Sequence, residues 1–211
     1  MKTKTQWLSV DDPHAPAYAA EVIRVGGLII LPTDTVYGVA ADLWQPEAVA
    51  ALYSAKQRPP ERAIPVLLAD IEDITKVASE VPEMARRLAE VFWPGPLTIA
   101  VPKLASIPAI VSALPTIGIR IPDHEGTRSV IRACGGALAV TSANLSGMAS
   151  PLTAQEASSA LGDAVQLVLD GGPCPGGIPS TVVDASGEDL RIIRPGPLDE
   201  AALRQALQSR S

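Results

Sequence analysis

The sequence predicts an α/β layer fold with a largely buried sheet. Three observations lead there. Segments of helical and strand character alternate from end to end. The strand segments are short apolar runs bounded by turn residues. Glycine and proline are plentiful, 16 and 20 of 211 residues, yet they punctuate segment ends and never pool into a linker. With no internal repeat and 47% hydrophobic residues, residues 1–211 read as one domain able to bury a substantial core.

Ala15 to Val25 predicts a first helix with Tyr18, Val22 and Val25 on its buried face, ended by Gly26-Gly27. Leu28 to Leu31 is then a buried strand that turns abruptly polar at Pro32-Thr33-Asp34-Thr35. Those hydroxyls suit recognition of a small polar ligand at a strand end, and equally a tight connection between strands. Pro46 opens a second helix with Glu47 near its positive end. Its buried face is Val49, Leu52 and Tyr53, and it stops before Pro59-Pro60, leaving Lys56 and Arg58 at its C-terminal end.

Ala63 to Ala69 reads as a second core strand, followed by helical stretches near Ile71 and from Pro82, the latter with Met84, Leu88, Val91 and Phe92 at helical spacing. Trp93-Pro94-Gly95-Pro96 ends it. Leu97 to Val101 and the weakly alternating Ile117 to Ile121 are strands, Ser129 to Cys134 ends a short helix, and Ala137 to Val140 is a buried strand running into Thr141-Ser142-Ala143-Asn144. Thr153-x-x-Glu156 is a capping box that opens a helix. Val165 to Leu169, Thr181 to Val183 and Leu190 to Ile193 are late strands, and Leu198 to Leu207 is a closing helix.

Composition excludes several classes. A formal net charge of -6 argues against broad adhesion to nucleic acid or anionic membrane, though not against a local basic pocket. Two cysteines outside any C-x-x-C pair give no disulfide framework or zinc spacing and fit a reducing compartment. The N-terminus, Met1 to Trp7, lacks a signal-peptide apolar region, and the uncharged stretch from Arg132 to Glu156 holds too many polar residues to span a membrane. These features predict a soluble, cytoplasmic protein.

Familiar catalytic motifs are missing as well. The chain has no G-x-x-x-x-G-K-[ST], no G-x-G-x-x-G, no G-x-S-x-G and no H-E-x-x-H, and its two histidines make a histidine-rich metal site untenable. What remains are polar clusters at the ends of apolar segments. Lys56-Gln57-Arg58 follows a helix, where dipole compensation alone would explain it. Arg120 lies between isoleucines, and a strand-embedded arginine wants an anionic partner unless the strand is an exposed edge. Ser142 and Asn144 end a strand, where an Asx-type turn is the plain alternative. Gly176 to Thr181 offers backbone N–H groups and hydroxyls that suit an anion, or simply a loop. Arg194 precedes Pro195-Gly196. Singly each has an ordinary explanation; together they could enclose a polyanion and a small zwitterion.

In order, Pro32-Thr33-Asp34-Thr35-Val36-Tyr37-Gly38, Lys56-Gln57-Arg58-Pro59, Trp93-Pro94-Gly95-Pro96-Leu97-Thr98, Arg120-Ile121-Pro122, Ser142-Ala143-Asn144-Leu145-Ser146-Gly147, Pro179 to Asp184 and Arg194-Pro195-Gly196 resemble the YrdC-type threonylcarbamoyl-AMP synthases. The resemblance runs from about Ala15 to Gly196 and matches the short, single-domain form. It implies a twisted open mixed sheet with flanking helices and a deep, positively charged cavity. It implies a nucleotidyltransferase that condenses L-threonine, bicarbonate (or carbon dioxide) and ATP into threonylcarbamoyl-adenylate, releasing pyrophosphate. It further implies a separate tRNA threonylcarbamoyl-transferase complex that then modifies adenosine 37.

Carried over by position, the resemblance gives Lys56, Arg58, Thr116, Ser142, Asn144, Ser150 and Arg194 to ATP, with Lys56 and Arg58 catalytic. It gives Thr33, Thr35, Tyr37, Arg120, Val140 and Ser180 to L-threonine, with Arg120 the fork for its carboxylate. Magnesium is expected with the triphosphate, held by phosphate and water, with no protein metal site and no organic cofactor. Thr141 stands where many relatives have proline, and the family pattern varies at Arg62 and Ala63. Two rival readings are an RNA- or tRNA-binding module, against which the acidic balance and 3% aromatic content speak, and a carbamoyl-adenylate-forming relative.

Overall fold

The computed structural model describes residues 5–208. Ten strands form one mixed sheet, six helices flank it, and two short 3-10 turns complete the elements. In chain order these are β1 (Gln6–Ser9), α1 (Ala15–Arg24), β2 (Ile29–Leu31), β3 (Gly38–Ala41), α2 (Pro46–Lys56) and β4 (Val66–Leu68). There follow α3 (Glu83–Phe92), β5 (Leu97–Pro102), β6 (Thr116–Arg120), α4 (Glu125–Ala133), β7 (Ala137–Ser142) and α5 (Ala154–Leu161). The chain closes with β8 (Leu167–Asp170), β9 (Thr181–Asp184), β10 (Arg191–Arg194) and α6 (Glu200–Gln208). The expected α/β fold with a mixed sheet and flanking helices is what forms.

The sheet order is β1-β8-β2-β3-β7-β4-β6-β5-β9-β10. Pairs β1/β8, β2/β8, β4/β6 and β5/β9 are parallel, and the remaining pairs are antiparallel. Alternate residues of a strand face opposite sides. On one side Val39, Val66, Ile99, Ile117, Ile119 and Val183 join a core that includes residues of α2, α3, α5 and α6. On the other side Ile29, Leu31, Leu67, Leu138 and Val140 pack under α1 and α4. Those two helices lie against each other and contact β2, β8, β4 and β7. The face of β6, β5, β9 and β10 on that side therefore stays uncovered, and the cavity described below occupies it.

Local signals placed several elements well. Pro46 stands at the start of α2, whose buried side is Ala48, Val49, Leu52, Tyr53 and Lys56. The capping box at Thr153 and Glu156 is formed on both sides. Other expectations are corrected. In α1 the buried face is Ala15, Ala19 and Ile23, while Tyr18 and Val25 are exposed. Small alanines let α1 lie close against α4, and the larger residues turn to solvent. In α3 the face is Ala85, Leu88 and Ala89, with Val91 exposed. The stretch at Ile71 is a 3-10 turn, Ile71–Lys76, capped by Asp70 and Asp73. Only Val66–Leu68 of the apolar run Ala63 to Ala69 is paired as strand, and the closing helix begins at Glu200. Strands β1 and β3 have no counterpart in the sequence reading. Arg120 sits on an interior strand, which removes the edge-strand alternative. The segment Met1 to Lys4, read as part of an N-terminus without a signal sequence, lies outside the described residues.

Candidate active site

A cavity of ≈ 620 Å³ opens on the uncovered sheet face. Its floor follows strand alternation. Thr116, Gly118 and Arg120 of β6 face it while Ile117 and Ile119 face the core; Thr98 and Ala100 of β5 do the same against Leu97, Ile99 and Val101. Register groups these side chains into rows across the sheet. Leu67, Arg120, Thr98 and Val182 align with Arg194 in one row, and Thr116 lies four residues from Arg120, about 13 Å along the strand. The floor is thus long enough to separate two binding ends.

At the first end, the Thr33 hydroxyl donates to Val36 O at 2.7 Å and accepts from the backbone N–H groups of Thr35 and Val36. The tight-turn reading and the site reading of this segment therefore hold together: the turn fixes Thr33 and Thr35, both buried, at the cavity wall. Arg120, 5% exposed, donates through Nε to Gly95 O at 2.9 Å, through Nη1 to Thr35 Oγ1 at 3.0 Å and through Nη2 to Asp34 Oδ1 at 2.5 Å. Asp34 enters the sequence reading only as part of the turn and is given no role in the site there. The signal for it was present, since a buried arginine needs a counter-charge and Asp34 lies inside the hydroxyl-rich turn.

Ser180 Oγ lies 2.8 Å from Thr98 Oγ1, and Arg194 donates to Ser180 O at 2.7 Å through Nη2. Thr98, a second residue the sequence reading passed over, lines the cavity beside Ser180. Gly196 makes this approach possible. A Cβ there would lie 2.3 Å from Thr181 N and 2.6 Å from Ser180 C, backbone atoms that cannot step aside. Gly196→Ala should therefore cost about 1–3 kcal/mol and displace Arg194 from Ser180. A melting curve together with turnover would register both losses.

At the second end, Gln57 adopts a left-handed conformation (φ 50°) that ends α2 and swings Arg58 toward the cavity. The loop then wraps its guanidinium: Nε donates to Arg62 O at 3.0 Å and Nη2 to Ala63 O at 2.8 Å. Arg62, Thr116 and Ser142 also line this end. Val140 contributes to the floor.

Four candidate residues lie outside the lining. Lys56, 1% exposed, donates through Nζ to Ser142 O and Asn144 O, and its own carbonyl accepts from Ser146 N at 2.9 Å. Its side chain thus braces the turn that carries Ser142. Asn144 Nδ2 donates to Leu145 O and Met148 O, leaving Oδ1 buried without a partner among the described residues. Ser150 is half-buried beside this turn. Tyr37 is fully buried, and its hydroxyl donates to Gly172 O at 2.8 Å and accepts from Gly171 N at 3.1 Å, with Asp170 beside it. That burial pushes its pKa up to about 12.

The lining carries four arginines, Arg58, Arg62, Arg120 and Arg194, and no carboxylate. Partial desolvation against the cavity wall lowers the pKa of Arg194, although the residue as a whole is exposed, and Arg120 and Arg58 lower it further by repulsion. Burial likewise lowers Lys56, to about 8, with Arg58 adding to the effect. Lys56, Arg58 and Arg194 have carbonyl oxygens as their main partners, so cations this close together suit an anion.

Residues 21–196 match the Sua5/YciO/YrdC family, which carries the description Telomere recombination. The chain is 38% identical over 190 residues to a putative threonylcarbamoyl-AMP synthase of Mycobacterium tuberculosis (strain H37Rv), covering 90% of this chain and 87% of that protein. It is 35% identical over 215 residues to the threonylcarbamoyl-AMP synthase of Bacillus subtilis (strain 168), covering 98% of this chain and 62% of the relative. Pyrococcus abyssi Sua5 complexed with L-threonine superimposes with a TM-score of 0.89 at 32% identity, over 98% of this chain and 61% of that one. The chain belongs to the Sua5/YciO/YrdC family. It spans somewhat under two thirds of the length of the Bacillus and Pyrococcus proteins.

Proposed function

We propose that the protein is an L-threonylcarbamoyladenylate synthase, a nucleotidyltransferase that uses ATP, L-threonine and bicarbonate or carbon dioxide. The observation that carries this reading is the convergence of Arg58, Arg120, Ser142, Ser180 and Arg194 on one cavity with two ends. The family relatives bear the name of that activity, and the Pyrococcus relative was solved with L-threonine bound.

In this reading the threonine carboxylate meets Arg120 at the Thr33–Thr35 end, and the triphosphate lies toward Arg58, Arg62 and Arg194. Addition of the threonine amine to carbon dioxide, with loss of a proton, gives a carbamate. A carbamate oxygen then forms a bond to the α-phosphorus as the bond to the bridging β-phosphate oxygen breaks, and the electron pair leaves with pyrophosphate. Two anions must approach while charge builds on phosphate oxygens, so fixed guanidiniums supply the main stabilisation. Because no carboxylate lines the cavity, magnesium would enter as part of the nucleotide, held by phosphate and water. The product would pass to the complex that modifies adenosine 37 of tRNA, in the cytoplasm.

Pyrophosphate release measured with threonine and bicarbonate, against carbamoyl phosphate in their place, tests the assignment. Threonine-dependent release supports it; release with carbamoyl phosphate alone points to the carbamoyl-adenylate relative. The pH profile adds a second check. The buried Lys56 ammonium, titrating near 8 and not at the ordinary 10.5, is needed in its charged form, so activity should fall as pH rises through about 8. Stability moves the other way for this group: the unfolded chain holds the proton more tightly, so its penalty is present below pH 8 and relieved as pH rises toward 10.5.

A further inference from the structure

We propose that Asp34 is a positioning residue for amino-acid recognition, setting the plane of the Arg120 guanidinium so that the substrate carboxylate meets a fixed pair of N–H groups. This rests on the reading of the cavity just given and assigns a role to a residue that reading leaves unused.

The Arg120 guanidinium has five N–H groups. One on Nε is taken by Gly95 O, one on Nη1 by Thr35 Oγ1 and one on Nη2 by Asp34 Oδ1. What remains is one N–H on each terminal nitrogen, and a carboxylate can accept from both. Three anchors from two chain segments, the Asp34–Thr35 turn and Gly95, leave the group little freedom to turn. Among the described residues, Arg120 is also the one cavity arginine with a carboxylate partner; Arg58 and Arg194 are held by backbone carbonyls and a serine hydroxyl.

Asp34 is itself fixed. Its Oδ1 also accepts from Asp123 N at 3.0 Å, which ties it to the loop after β6. Its backbone is pressed by the loop at Gly176, where a Cβ would fall 2.6 Å from Asp34 O and 2.8 Å from Thr35 Cα. The side chain is 13% exposed, and Asp34 does not line the cavity. It therefore compensates the Arg120 charge from behind without presenting a carboxylate to an anionic substrate. Such a residue should govern how well threonine is held and leave the nucleotide end alone.

The test is steady-state kinetics of adenylate formation by the full chain, varying threonine and ATP separately, for wild type, Asp34→Ala, Asp34→Asn and Asp34→Glu. Asp34→Ala should raise the threonine KM about tenfold or more, with the ATP KM within about twofold of wild type. Asp34→Asn should recover most of that loss, because its amide oxygen can still accept from Arg120 and from Asp123 N. Should Asp34→Ala fail to fold, Asp34→Glu carries the test. It keeps the charge but pushes the guanidinium outward by a methylene, and should still raise the threonine KM selectively. An unchanged threonine KM in a folded Ala or Glu variant, or an equal rise in both KM values, overturns the proposal. Absence of threonine-dependent adenylate from the wild type would instead remove the functional reading on which it rests.

Discussion

Lys56→Met should abolish adenylate formation, by about 100-fold or more, in a protein that melts no lower than wild type. The two halves of that expectation have separate causes. Lys56 is nearly inaccessible, and burial holds its pKa at about 8. Keeping the ammonium charged at neutral pH costs the folded state roughly 3 kcal/mol. Methionine fills much the same volume without that penalty, which offsets the loss of two hydrogen bonds to backbone carbonyls. The same change removes the donor that braces Ser142 O and Asn144 O, so the turn carrying the Ser142 side chain loses its anchor. A buried charge that reduces stability is expected to serve activity. Circular dichroism melts beside a pyrophosphate assay would check both halves, and near-wild-type turnover in a folded variant would remove Lys56 from the mechanism.

Arg120→Ala should raise the threonine requirement about 100-fold, since two charge-assisted hydrogen bonds to its carboxylate disappear together. It should also destabilise the fold by roughly 3–5 kcal/mol, because Asp34 is left buried without its counter-charge. The effects are separable. Combining Arg120→Met with Asp34→Asn removes both charges, so stability should return toward wild type while threonine saturation stays out of reach. Recovery of threonine affinity in the double variant would show that Arg120 acts through folding alone.

Much of this arrangement was legible in the sequence because it depends on local rules. Alternation in Ile117-Gly118-Ile119-Arg120-Ile121 turns Arg120 away from the core that its isoleucine neighbours enter. Pro59-Pro60 keeps α2 from running past Lys56, which leaves Arg58 in the loop that faces the cavity. Clusters at segment ends signalled a site because strand ends carry side chains on fixed anchors. What escaped the sequence is non-local. Asp34 and Thr98 gain meaning only when β6, β5 and the Thr33–Thr35 turn come together. Lys56 and Tyr37 carry polar groups that point into backbone carbonyls and not into the cavity, a direction no periodicity encodes. The face of α1 was misread because hydropathy favours Tyr18 and Val25, whereas close helix packing favours Ala15 and Ala19. Strand β1, Gln6-Trp7-Leu8-Ser9, is mostly exposed and too short to show a pattern, and it exists because β8 offers it a parallel partner.

A single hollow should seat a nucleotide beside an amino acid and join them through carbon dioxide. Purified protein incubated with ATP, L-threonine and isotopically labelled bicarbonate should yield a labelled threonine-containing adenylate, with one pyrophosphate released per label incorporated and nothing formed when any substrate is omitted. Pyrophosphate release that proceeds without threonine, or an adenylate that carries no label, would contradict it.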